Sequence, residues 1–307
     1  MDASVVICSH NPRPHYLSRA LYALREQTLS MERWELILVD NASRAALSRE
    51  FDLSWHPAGR HVAEPDLGLA SARRLGIREA RADLIVFVDD DNLLAPSYLE
   101  KALKIGAEWP RLGTWGAGQV LPEFEVAPAE HLRPYLPWLA LRDNKSPKWG
   151  NVISHNESVP TGTGLCVRAT VANAYLEFCE LSKIEITGRR GESLSGFEDY
   201  EICYVGCNAG FGMGTFPELR LTHLIPKERL SDNYFLRLLE STHLSRLILD
   251  YKWGGNIPPS PFGSPRSMAS LIWRLASTSG FERQVALAFL RGTQAARRVL
   301  IDESAKA

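Results

Sequence analysis

Apolar and polar positions along the first hundred residues follow two alternating periods. Ser4–Cys8 (SVVIC), Glu35–Val39 (ELILV) and Leu84–Val88 (LIVFV) are short, continuous apolar runs rich in β-branched residues, the pattern of strands buried on both faces. Arg60–Ala63 is a weaker run of the same kind. Between them, Pro14–Gln27 sets Leu17, Ala20, Leu21 and Leu24 on one face at helical spacing. Leu67–Arg81 and Pro96–Trp109 carry the same period, with Pro96 suited to a first helical turn. Strands separated by helices predict a parallel sheet with helices on both faces.

Beyond Gly113 the pattern loosens. Glycine, proline and tryptophan become frequent, and Pro122–Val159 has no clean period, so irregular loops are expected there. Gly164–Arg168 and Arg220–His223 read as strands. Ala169–Leu181, Asp199–Ala209 and Leu230–Trp253 read as helices, with a polar loop over Ile184–Ser195. A proline-rich linker, Gly254–Pro265, leads to a basic amphipathic helical tail over Ser267–Ile301. No internal repeat is seen.

Composition narrows the class. At 45% hydrophobic and 23% charged, 307 residues suffice for one large globular domain with appendages. A net charge of −1 supplies no field for nucleic acid, so an anionic ligand needs a local device. Five cysteines, an odd number, do not form a disulfide framework, and the Cys203/Cys207 pair lacks a second pair at zinc spacing; a reducing cytoplasmic compartment follows. The N-terminal MDASVVICSHN has no signal-peptide pattern, and no apolar window approaches the roughly 18 residues of a spanning helix.

The chemistry concentrates where apolar runs end. Ligands of an open parallel sheet bind at the carboxyl ends of its strands. Here those ends carry Ser9-His10-Asn11, Asp40-Asn41-Ala42-Ser43 and Asp89-Asp90-Asp91-Asn92. Three adjacent acids repel one another unless something neutralises them. Alternation along a strand turns Asp89 and Asp91 to one side and Asp90 to the other. Two convergent carboxylates suit Mg²⁺ or Mn²⁺ that keeps room for a ligand's phosphates. The plainer alternative is a set of acidic turn residues capping the next helix.

CSHN after the first strand, VDNAS after the second, DLGLASARRLGI before the next, and FVDDDN together resemble the nucleotide-binding half of the family 2 glycosyltransferases. The resemblance covers roughly residues 3–225. It implies an α/β protein of GT-A fold, a Rossmann-like mixed sheet with helices on both faces, followed by a C-terminal helical tail. A GT-A catalytic domain is expected over 1–225, with a nucleotide-binding half at 1–112 and an acceptor half at 113–225; a helical extension fills 226–307.

The same resemblance implies roles. Asp40 matches the acid that contacts the base, usually uracil, and Ser9, Asn11 and Ser43 belong to the loops lining base and ribose. Arg73 matches a basic position near the diphosphate. Asp89 and Asp91 match the two ends of a D-x-D motif, Asp89 beside the ribose and Asp91 the firmer metal ligand. Asp90 is a third acid where the family often has a small residue. In SGFEDYE, inverting members place a general base at Asp199, with Glu198 contacting or orienting the acceptor; read alone, these acids are a helix N-terminus. His223 in RLTHLIP matches a histidine that reaches metal or diphosphate, and an imidazole beside carboxylates favours Mn²⁺ over Ca²⁺. Pro160–Gly164 matches a segment flanking donor sugar and acceptor, and Trp138 and Trp149 are either sugar-stacking or core residues.

The resulting expectation is a metal-dependent inverting transferase in cell-surface polysaccharide synthesis. It moves a sugar from a nucleotide-diphosphate sugar, a UDP-sugar first, to a glycan or lipid-linked glycan. Two rivals are a sugar-1-phosphate nucleotidyltransferase, which wants a glycine-rich basic phosphate loop that SHNPR is not, and a non-catalytic nucleotide-sugar-binding component, which needs no SGFEDYE. The basic tail either lies in the interface of an anionic membrane at the cytoplasmic face, packs on the catalytic core, or forms a homodimer contact.

Overall fold

In the computed structural model the strands begin where the apolar runs do. Residues 1–191 and 193–306 are described; Glu192, Ala307 and the side chains of Arg274, Ala305 and Lys306 lie outside the description. The first half runs β1 (Ala3–Ser9), α1 (Pro14–Arg25), β2 (Trp34–Asn41), α2 (Leu47–Glu50), β3 (Gly59–Glu64), α3 (Leu69–Glu79), β4 (Leu84–Val88), β5 (Asn92–Leu94) and α4 (Tyr98–Glu108). It continues through β6 (Leu112–Phe124), β7 (Arg142–Asp143), β8 (Lys148–Gly150), β9 (Cys166–Arg168), α5 (Ala169–Leu181), α6 (Glu198–Asn208) and β10 (Gly212–Ile225). Three helices close the chain: α7 (Asp232–Gly254), α8 (Pro265–Ser277) and α9 (Gly280–Lys306).

The described strands join one sheet in the order β3-β2-β1-β4-β9-β6-β10-β5, with β7 paired to β6 and β8 to β10. β3, β2, β1 and β4 are mutually parallel, as the first hundred residues predict. The expectation of a parallel sheet stops there. β9 runs antiparallel to both β4 and β6, and β5 antiparallel to β10, so the sheet is mixed. Period-two alternation sorts the central strands. Leu84, Val86 and Val88 join the core under α1 and α4, while Ile85 and Phe87 join the core under α3, α5 and α6. Asp89 continues the Phe87 face and therefore meets α3.

Two long strands were expected to be loops or shorter. β6 occupies 112–124 and β10 occupies 212–225, paired in parallel, with a register shift between Phe216 and Arg220. Their glycines hid them: a Cβ on Gly118 would come within 2.5 Å of the Phe216 backbone carbon, so only glycine allows this approach. The tail also differs from the single helix expected over 267–301. It breaks at Thr278–Gly280, with Gly280 at φ 54°. α9 packs along α7, burying Val285, Ala286, Ala288, Ala296 and Leu300. α8 instead leaves Met268, Ile272 and Trp273 exposed, Trp273 at 72%. Among the described residues no helix is long and apolar enough to cross a membrane. All five cysteines are free.

Candidate functional site

A cleft of about 680 Å³ opens at the carboxyl ends of β1 and β4. Ser9, Arg73, Asp89, Asp90, Asp91, Glu198, Asp199 and His223, all singled out in the sequence, line it together. Five segments of the chain bring them there: two parallel strand ends, α3, the first turn of α6, and the end of β10.

Each acid after β4 finds a different partner. Asp89 faces Arg73 from α3 at 3.5 Å. The Arg73 guanidinium is buried, lies 5.5 Å from the Phe87 ring centroid, and donates to Glu198 Oε1 at 2.7 Å. Burial opposes its charge, but Glu198, Asp89 and Asp199 outweigh that and hold Arg73 more firmly protonated than a free arginine. Asp90 turns to β1, where the Ser9 hydroxyl donates to it at 2.5 Å. Burial, then the Asp91 charge beside it, pushes Asp90 up to about 7. Asp91 turns to the end of β10. Its Oδ2 receives Arg229 Nη1 at 2.9 Å and stands 3.4 Å from His223 Nε2. Burial would raise Asp91, yet His223 and Arg229 prevail and hold it well below the usual carboxylate range.

The second pair of acids opens α6. Phe197, its N-cap, sits in the left-handed region at φ 77°, a conformation that costs a non-glycine residue about 1–3 kcal/mol. The turn delivers Glu198 and Asp199 to the cleft. Asp199 Oδ2 accepts the Gly162 N–H at 2.6 Å and Oδ1 accepts the Tyr200 N–H at 2.9 Å, which fixes the carboxylate. Glu198 is buried, with Oε1 on Arg73 and Oε2 unpartnered. Burial pushes it up to about 7, against the pull of Arg73 and with the Asp199 charge adding to the rise.

Asn11, Asp40 and Ser43 are not in the lining. They form a network beside it. Asp40 accepts the N–H groups of Ser43 and Leu47 at 3.1 and 2.9 Å; Asn11 donates its N–H to Ser43 Oγ at 3.0 Å and accepts from the Arg44 N–H at 2.9 Å. Their neighbours His10 and Asn41 do reach the cleft, joined by His10 Nδ1 and the Asn41 carbonyl at 2.7 Å. Trp138 lines the cleft; Trp149 does not, and lies 62% exposed, its ring centroid 5.5 Å from that of Trp109.

The expected metal ligands Asp89, Asp91 and His223 are not drawn into one set. Among the described residues no group of three or more His, Cys, Asp or Glu side chains is placed to hold an ion. Asp91 and His223 alone fit part of a coordination sphere. Bonds of about 2.1 Å at right angles put adjacent ligand atoms about 3 Å apart, close to the 3.4 Å between these two. The His223 Nδ1 is buried without a partner. Arg229 went unnoticed in the sequence, as did Arg189, Arg246 and His155, which line the same cleft. Nothing local distinguishes Arg229 from Lys227; its contact with Asp91 spans 138 positions.

Residues 4–119 match the family model "Glycosyl transferase family 2". An uncharacterized glycosyltransferase of Haemophilus influenzae is 30% identical over 109 residues, 36% of each chain. The validoxylamine A glucosyltransferase of Streptomyces hygroscopicus subsp. jinggangensis is 36% identical over 104 residues, 33% of this chain and 24% of that one. The chain thus spans about a third or less of these relatives' length. Among solved structures, the mannosyltransferase from Pyrobaculum calidifontis in complex with GDP-Man and Mn²⁺ superposes with a TM-score of 0.60 at 17% identity, covering 99% of this chain and 86% of that one. At that identity the likeness concerns the fold, which is GT-A: a mixed α/β sheet with C-terminal helices.

Proposed function

We propose, from the match of residues 4–119 to the glycosyl transferase family 2 model, that this chain is an inverting, divalent-metal-dependent transferase of sugars from nucleoside-diphosphate donors. The observation that carries the reading is the meeting of the acids after β4 with those opening α6 across one cleft. A site that only held a nucleotide has no use for Asp199, whose carboxylate is fixed in the cleft lining by two backbone hydrogen bonds.

In this reading Asp40, Asn11, Ser43 and Ser9 receive the nucleoside, UDP as the first candidate. Arg73 stands at the diphosphate. Asp199 takes the proton of the attacking acceptor hydroxyl, and Glu198, held by Arg73, orients the acceptor. The leaving nucleotide departs from the opposite face of the sugar, and the cleft holds both partners in line. Mn²⁺ or Mg²⁺ would be held by Asp91 and His223, with Asp89 nearby; when bound it supplies Lewis-acid stabilisation of the leaving phosphate's charge. The Pyrobaculum calidifontis enzyme was solved with Mn²⁺ and a nucleotide sugar, which supports this donor and metal class.

The acceptor is a glycan or lipid-linked glycan of cell-surface polysaccharide synthesis. Residues 1–225 act as the catalytic domain and 226–307 as its extension. The exposed face of α8 contacts the cytoplasmic face of an anionic membrane. The test of the central reading is Asp199→Asn, which keeps shape and removes the proton acceptor. Donor affinity should stay near wild type while transfer, or slow donor hydrolysis, falls by roughly 10²–10⁴-fold. An unchanged rate moves the base elsewhere, with Glu198 next.

A further inference from the structure

Arg229 stands at the point where Asp91 and His223 would meet a cation. Its Nη1 is 2.9 Å from Asp91 Oδ2 and 3.3 Å from His223 Nε2, and those two acceptor atoms are 3.4 Å apart. A guanidinium only donates, so it presents to this pair what a metal presents: positive charge and no lone pair. Asp89 and Glu198 are matched without it, by Arg73.

The segment carrying Arg229 is held at the surface. In the 3-10 turn Lys227–Leu230, Glu228 pairs with Arg13 at 2.5 Å with both side chains exposed, and the Lys227 N–H reaches Glu125 Oε2 at 2.8 Å. Exposed pairs of this kind hold little in water. The Arg229 side chain itself is 21% exposed and lines the open cleft, so its head is free to swing into it.

We propose that Arg229 is a built-in counterion that keeps the cation position on Asp91 and His223 while no donor is bound. It yields that position to a divalent ion only in the company of a nucleoside diphosphate, whose phosphates its guanidinium then pairs. The proposal rests on the reading of the cleft as a donor site. For a divalent ion alone, entry means displacing a like charge that gains no anion in exchange. With a diphosphate present, the displaced guanidinium gains a bidentate anion. Metal and nucleotide then strengthen each other's binding, and linkage makes the factor the same in both directions.

The experiment is Mn²⁺ binding to the full chain, followed by electron paramagnetic resonance of the free ion, with and without UDP. Wild type should bind Mn²⁺ weakly alone and far more tightly with UDP. Arg229→Met should bind Mn²⁺ alone about 10- to 100-fold more tightly, the factor that a hydrogen bond to a charged group represents, and should lose the same factor of coupling to UDP. Arg229→Lys, which keeps the like charge, should stay near wild type. If Arg229→Met does not fold, Arg229→Gln removes the charge with a polar head and carries the same expectation. An Arg229→Met or Arg229→Gln protein with wild-type Mn²⁺ affinity, or Arg229→Lys behaving like the uncharged variant, overturns the proposal. Wild type that binds no UDP in the presence of Mn²⁺ instead removes the donor-site reading.

Discussion

Asp89, Asp90, Asp91, Glu198 and Asp199 share one cleft, and the chain answers their charges one at a time. Arg73 serves Asp89 and Glu198, Arg229 serves Asp91, and Asp90 and Glu198 are pushed toward their protonated forms. Glu198 gives a pH signature. Its ordinary value is 4.5 and the folded protein raises it to about 7, so the native state binds this proton more tightly than the unfolded chain. Its contribution is complete below about 4.5 and is lost as pH climbs toward 7. Melting temperature of the ligand-free protein should therefore fall across that window, and Glu198→Gln, which cannot ionise, should fall less steeply. Parallel slopes for the two proteins would show that Glu198 titrates normally. Asp91→Ala addresses the other end of the cleft: calorimetry should find the Mn²⁺-dependent part of UDP affinity gone, so that binding with and without EDTA becomes equal. At this scale the sequence was legible where chemistry is local. Five apolar residues running into three acids, and two acids opening a helix, announce themselves in chain order alone. Arg229 does not, because its meaning lies in a partner 138 positions away.

Among the elements, the segment between β8 and β9 ties the two groups of acids together. Gly162 donates its N–H to Asp199, and a Cβ there would fall 2.2 Å from Arg73 Nη2. Gly162→Ala should therefore push the guanidinium off Glu198 and Asp89 while disturbing the Asp199 carboxylate. Overpacking of this sort costs typically 1–3 kcal/mol. A modest drop in melting temperature should accompany a much larger loss of transfer; wild-type turnover would mean that the loop relaxes freely. β1, β4 and α5 were legible from period alone: β4 lies at Leu84–Val88 and α5 at Ala169–Leu181, the ranges their patterns predict. β6 and β10 were obscured because their glycines and Pro217, read locally, say loop; close approach of neighbouring strands is a tertiary demand that overrides the local signal.

For the molecule as a whole, the tail divides its labour. α9 is a packing element, with Arg291 on Glu240 at 2.6 Å and Thr293 on His243 at 2.9 Å across to α7. Cutting the chain after Pro265 would unseat it and confuse folding with membrane contact. A cleaner test is the double substitution Ile272→Ser with Trp273→Ser on α8, both exposed. It should leave the melting temperature within a few degrees, while co-sedimentation with anionic liposomes at low salt is lost. Release of wild type at high salt should accompany this, since each basic residue near such a surface contributes about 1 kcal/mol, screened by salt. Sedimentation of the variant equal to wild type would return α8 to a role in self-association.

α9 contributes none of the cleft's lining residues and yet braces two of its walls. Phe289 lies 5.9 Å from the Trp138 ring, Phe281 packs on Tyr135, and α7, which α9 supports, contributes Tyr234, Leu238, Thr242 and Arg246 to the lining. The family match ends at residue 119, well before any of these. Recombination thus has a natural seam. On the proposed function, a graft that exchanges the last helices, together with the segment they brace, is expected to change which acceptor is admitted and leave donor binding as it was.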